Sequence, residues 1–174
     1  MAADLHRTGS GAPPNRIRRG RACIRPRLPC TGTVISNDRD AMRRFFVSAW
    51  LKQRNRELLS PLENMVASIV AQHPEYHAIL VDEQTALEAE FAEGVPNPFL
   101  HMGMHIAIQE QIGADRPPGI RQMHHQAAQR IGDVHGAEHR MMDCLGVVLH
   151  EAQSSGTAPD ESRYLECLKR LVDG

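Results

Sequence analysis

Aromatic residues are scarce in this chain, with one Trp, two Tyr and four Phe among 174 residues. A core built on stacked rings is therefore excluded, and Leu, Ile, Val, Ala and eight Met have to fill it. No apolar run approaches the roughly 18 to 20 residues that span a bilayer, so a membrane partner is not expected. Alternating β-branched segments are missing too, which argues against strands. The G-x-G-x-x-G, G-x4-G-K-[ST], H-E-x-x-H and G-x-S-x-G patterns are all absent, so nucleotide-binding, zincin and serine-hydrolase readings have no support. Four cysteines (Cys23, Cys30, Cys144, Cys167) show no C-x2-C spacing. A zinc ribbon or a disulfide framework is not expected, and reduced thiols in a cytoplasm fit better. Cys144 and Cys167, among Met, Leu and Tyr at helical positions, read as small buried hydrophobes.

Acidic residues are also rare at the N-terminus, where residues 1 to 34 carry seven arginines against Asp4 alone. This tail has little apolar periodicity and cannot bury enough surface to offset the entropy of ordering, so residues 1–36 read as a disordered tail. Arg18-Arg19 suggests a twin-arginine signal and the Arg-rich make-up a transit peptide, but neither an apolar segment nor an amphipathic face follows. A start near Val34, downstream of the first Met, fits better. The remaining body holds 13 bases and 20 acids, a balance that disfavours nucleic acid as its partner. With 41% hydrophobic and 24% charged residues, the composition is ordinary for a globular protein, and residues 37–174 read as one domain.

Apolar residues at helical spacing then mark the elements. Asp38 or Asp40 caps a first helix with the stripe Met42, Phe45, Phe46, Ala49 and Trp50, whose opposite face, Arg43, Arg44, Lys52, Arg54 and Arg56, reads as solvated surface. Ser60-Pro61 with Glu63 forms a capping box for a second helix carrying Leu62, Met65, Val66, Ile69 and Val70. Pro74 must kink or restart that helix. Residues 82 to 96 predict a short acidic helix and a loop. Asn97 as N-cap and Pro98 as first helical residue open the central helix, on which His101, Met104, His105, Ile108 and Ile112 share an inward face. Ile120, Met123, His124, Ala127 and Ile131 mark the next helix, and His124 reads as a core or boundary histidine rather than a ligand. Asp133 caps a long helix with two neighbouring stripes: Val134, Ala137, Met141, Leu145 and Val148, and His135, His139, Met142 and Leu149. Gly156 ends it, Pro159 lies in the first turn of a last helix, and Leu165, Leu168, Leu171 and Val172 close the structure. The expectation is an all-α antiparallel bundle of five to six helices.

Histidine placement carries the functional signal. Nine histidines fall in residues 35 to 174, and random placement would give about 0.6 pairs at i, i+4. Three occur: His73 with His77, His101 with His105, and His135 with His139. Two imidazoles one helical turn apart can close on one metal ion. Imidazole donors with carboxylate and without thiolate suit zinc or non-haem iron. Asp143 and Glu110 are possible further ligands, and Glu75, Glu110, Glu138 and Asp143 are candidate hydrogen-bond partners for the far ring nitrogens.

The blocks HPEYH, NPFLHMGMHIAIQEQ, DRPPGIR and HGAEHRMMDCLG, in this order and spacing, resemble the bacterial family catalogued as domain of unknown function 1841, from about residue 37 to the C-terminus. That resemblance implies histidines at all six paired positions and no established activity. The chain departs from it at Val147, where many members have an acid, and at His150, where many have a Trp. A weaker likeness, of pattern only, is to hemerythrin-like and DinB-like metal-binding bundles. Two function classes stay open. One is a bundle holding a divalent metal through His73, His77, His101, His105, His135 and His139. The other is a non-enzymatic interaction module with structural histidines, meeting a second copy or another protein through the basic first helix or the acidic segment 82 to 93. Neither a reaction nor a small-molecule substrate follows from the residues.

Overall fold

The computed structural model describes residues 39–92 and 94–173, and the Arg-rich tail and the Asp38 cap lie outside the described residues. These form an all-α fold of seven α-helices and one 3-10 segment, with no strand among the described residues. The count exceeds the expected five to six for two local reasons. Pro74 splits off a 3-10 segment (Pro74–Leu80) from the second helix, and the acidic stretch forms a helix of its own.

Helix α1 (Arg39–Arg54) buries Phe46 and Ala49 as its stripe predicts. Its basic face is only partly solvated. Arg43 is buried, and its Nη1 donates to the carbonyls of Ala86, Leu87 and Ala89 at 2.8, 3.0 and 2.9 Å. Those carbonyls end α3 (Glu83–Glu88), where the last turn of a helix has no intrahelical donors left. The guanidinium also lies 4.7 Å from the Phe99 ring centroid, which compensates part of its desolvation. By contrast, Arg44 pairs with Glu83 and Lys52 with Glu63 at partly or fully exposed sites.

Helix α2 (Pro61–Ala71) starts with the full capping box between Ser60 and Glu63. The Lys52 ammonium, then the Ser60 amide, hold the Glu63 carboxyl down at about 2. Val66, Ala67, Ile69 and Val70 are buried, and His73 stands between the end of α2 and Pro74. Helix α4 (Pro98–Ala114) begins where Asn97 Oδ1 accepts from the amides of Phe99 and Leu100 at 3.0 and 3.4 Å.

The apolar burial of α4 is wider than its predicted stripe. Phe99, Met102 and Ile106 pack with α1, α2 and α3, whereas Ile108, with Met104 and Ile112 beside it, packs with the C-terminal helices. One helix therefore serves two apolar clusters. A period-3.6 reading favours one face and misses a helix that is sandwiched between neighbours.

Gly132, in the left-handed region at φ 80°, links α5 (Ile120–Ile131) to α6 (Val134–Ser155). Ile131 and Val134 flank that link and are exposed, although both were expected on buried stripes. Asp133 caps α6 by accepting from the amides of His135 and Gly136. A Cβ on Gly136 would meet the Asp133 carboxylate at 2.8 Å, so the cap and the glycine belong together.

Pro159 precedes α7 (Glu161–Asp173) rather than lying in its first turn, and Asp160 accepts from the amides of Ser162 and Arg163. Tyr164 and Leu168 are its buried anchors, and the Tyr164 hydroxyl donates to Gln111. The expectation of free thiols fails here. Cys144 and Cys167 form a disulfide, with Cα atoms 5.7 Å apart, because α7 packs on α6 and brings two sequence-distant positions face to face. Pair spacing along the chain could not show this, and the argument for a reducing compartment falls with it. Among the described residues, no helix is long and apolar enough to cross a membrane.

Replacing Asn97 by Ala leaves two amides of α4 without their acceptor. Global stability should fall by about 1 kcal/mol in denaturant unfolding. An unchanged midpoint would show that the cap contributes nothing.

Candidate metal centre

Three elements supply the imidazoles. Position 73 lies between the end of α2 and the 3-10 segment, positions 101 and 105 lie one turn apart on α4, and positions 135 and 139 lie one turn apart in the first half of α6. The structure brings His73, His101, His105, His135 and His139 together, with ring centroids 4.3 to 5.1 Å apart for neighbouring rings. One nitrogen from each of His73, His105, His135 and His139 falls in a set whose members lie within 4.8 Å of one another. His73 and His105 are fully buried and the other three rings are half-buried.

His77 does not join them. Its ring lies tilted against Trp50 with centroids 4.5 Å apart, and its Nε2 donates to the Val70 carbonyl at 2.9 Å. The cause is Pro74, since a 3-10 segment does not keep i and i+4 on one face as an α-helix would. The expected second H-x3-H pair is thus split. His124, on α5, also stays outside the four-histidine set, with a buried Nε2 that no group bonds.

Hydrogen bonds fix which ring nitrogens carry protons. The Ile69 carbonyl, 2.8 Å from His73 Nδ1, only accepts, so in the neutral ring Nδ1 carries the hydrogen and Nε2 is a bare lone pair. His105 follows the same logic through Glu138, whose Oε2 accepts from Nδ1 at 2.7 Å. In the neutral ring His105 Nε2 is therefore a lone pair, and it is buried without any hydrogen-bond partner. Leaving such an atom unpaired costs about 1 to 3 kcal/mol, an expense that a bound cation would remove. His135 Nδ1 is buried and unpartnered as well.

Of the four carboxylates expected near the histidines, only Glu138 reaches them. It is buried, and Gln109 Nε2 donates to both its oxygens at 3.3 and 3.4 Å. Glu75, Glu110 and Asp143 are exposed, and Asp143 pairs loosely with Arg140 at 3.6 Å. Val147 and His150, the two positions at which the resemblance implies other residues, are exposed too. Sequence reasoning overlooked Gln109 and Tyr76. Gln109 continues the i, i+4, i+8 series from His101 and His105, a readable signal, whereas Tyr76 stacks parallel on His73 at 5.4 Å only because of the 3-10 turn.

The surroundings favour neutral rings. Burial, with the neighbouring His105, His73 and His139, pushes His101 down to about 4. Burial and adjacent histidines also lower His135 and His139. In chemical terms the group offers converging imidazole nitrogen donors at a largely buried helix junction, an arrangement that could hold a metal ion.

A pH dependence follows. These three histidines titrate lower in the folded chain than near 6.5 in the unfolded chain, so between those values the unfolded state binds more protons. Chelator-treated protein should therefore lose thermal stability as pH falls from about 6.5 towards 4. A melting temperature flat across that window would contradict the buried, neutral cluster.

No curated protein and no solved structure matches the chain, so the likeness to hemerythrin-like and DinB-like bundles is not shown. The family model described as domain of unknown function (DUF1841) matches residues 38–170, which include every histidine of the cluster, and the chain belongs to that family.

Proposed function

We propose that this protein binds a divalent metal ion, zinc or non-haem iron, through the imidazoles of His73, His105, His135 and His139. The observation that carries the reading is the convergence of four imidazole nitrogens within 4.8 Å, from rings of which two, His105 and His135, each hold a buried nitrogen with no partner. For one ion with bonds of about 2.0 to 2.2 Å, donor nitrogens cannot lie farther apart than about 4.4 Å, so small side-chain adjustments suffice. The alternative of purely structural histidines leaves His105 Nε2 and His135 Nδ1 unexplained, since buried polar atoms are normally hydrogen-bonded.

Glu138 has the geometry of a partner that orients a metal-bound histidine, with Gln109 holding the carboxylate in turn. An ion held there would supply Lewis acidity or, at iron, redox chemistry. The residues around the cluster do not select a reaction.

Two measurements test this. Protein purified without chelator or affinity histidines should carry near-stoichiometric zinc or iron, and His105→Ala combined with His139→Ala should abolish it in a chain that still shows helical circular dichroism. Absence of metal in the wild type, including after reloading with zinc or iron(II), would sink the proposal. Glu138→Ala should weaken metal affinity about 10- to 100-fold, with partial recovery in Glu138→Gln, which can still accept from Nδ1. Equal affinities in all three chains would remove Glu138 from the site.

A further inference from the structure

His101 stands apart from the four-histidine set yet touches it twice. Its Nε2 lies 2.9 Å from His73 Nε2 and 3.2 Å from His139 Nε2. His73 Nε2 is a bare lone pair, because its proton is on Nδ1 facing Ile69. The bond between the two rings therefore needs the hydrogen on His101 Nε2. A neutral ring with hydrogen on Nε2 has no lone pair there, so the contact to His139 makes His139 Nε2 an acceptor as well. One N–H of His101 is thus directed between two lone pairs that the proposed ion would use.

We infer that His101 is the gate of the centre and its fifth ligand. Without an ion, its Nε2–H occupies the lone pairs of His73 and His139. On loading, both hydrogen bonds break and those lone pairs turn to the ion. The Nε2 proton of His101 passes to water while Nδ1 takes one from water, and the freed Nε2 lone pair binds the ion. No net proton and no electron is exchanged. His101 is half-buried, so water reaches the ring for this exchange. His73 and His105 are too deeply buried, and too firmly held by Ile69 and Glu138, to play that part.

The inference rests on the metal-binding reading and narrows it. Five imidazoles exceed the four donors of a tetrahedral zinc site and suit an ion that accepts five or six ligands, such as iron(II).

Cobalt(II) provides the test, because its visible absorption is strong when four-coordinate and weak at higher coordination. Chelator-stripped full-length wild type should bind one cobalt(II) with weak, high-coordination bands. His101→Ala should still bind one ion but show the strong four-coordinate bands. His101→Phe keeps the ring volume without a donor, and gives the same reading if the alanine variant fails to fold. Before loading, nitrogen-15 NMR of the wild type should show His101 as the Nε2–H tautomer. Identical cobalt spectra in wild type and folded variants, loss of binding in a folded variant, or an Nδ1–H tautomer before loading would each overturn the inference. If the wild type binds no cobalt, zinc or iron at all, the metal reading itself has failed, and the gate falls with it.

Discussion

The contact on which the centre depends is the hydrogen bond between His105 and Glu138, both buried and 2.7 Å apart. An ionised carboxylate inside a protein is costly unless its oxygens are bonded, and here His105 and Gln109 together meet that requirement. The bond ties α4 to α6 and directs the opposite nitrogen of His105 into the cluster. Reciprocity strengthens the joint. From α4 come His101, His105 and Gln109 at successive turns, and from α6 come His135, Glu138 and His139, so each helix supplies metal-type donors together with a polar brace.

Placing that joint requires α4 to be held on both sides. Its first half packs Phe99, Met102 and Ile106 into one apolar cluster, and its second half packs Ile108 into another. The histidines lie where α2, α4 and α6 meet. Caps at Asn97 and Asp133 fix where the two histidine-bearing helices begin, and with them the rotation of every later residue. Elsewhere, the Cys144–Cys167 bond fastens α7 to α6, and Arg43 fastens α3 to α1.

Much of this was legible because it is local. Asn97-Pro98, Ser60-Pro61-Glu63 and Asp133 are signals within one turn of chain, and the H-x3-H spacings on α4 and α6 need only helical geometry to put both rings of a pair on one face. What the sequence could not show is contact between elements. Arg43 reads as one more basic surface residue until the carbonyls of α3 are placed above it, and Cys144 and Cys167 look unrelated until α6 and α7 pack. His77 was misplaced for a different reason. Its spacing from His73 assumes an α-helix, and Pro74 turns that stretch into a 3-10 segment that sends the ring to Trp50.

The distribution of protons in the cluster bears on why so many histidines are gathered at a low-charge site. Five protonated imidazoles at these distances would repel one another in a poorly solvated pocket, and burial lowers the proton affinity of His101, His135 and His139 accordingly. Neutral rings can share only as many hydrogen bonds as they have N–H groups. Two of those N–H groups, on His73 and His105, are committed outward to Ile69 and Glu138, which leaves more inward lone pairs than inward hydrogens. That imbalance is a property of the sequence positions of one carbonyl and one carboxylate, and a cation is the kind of partner that satisfies it.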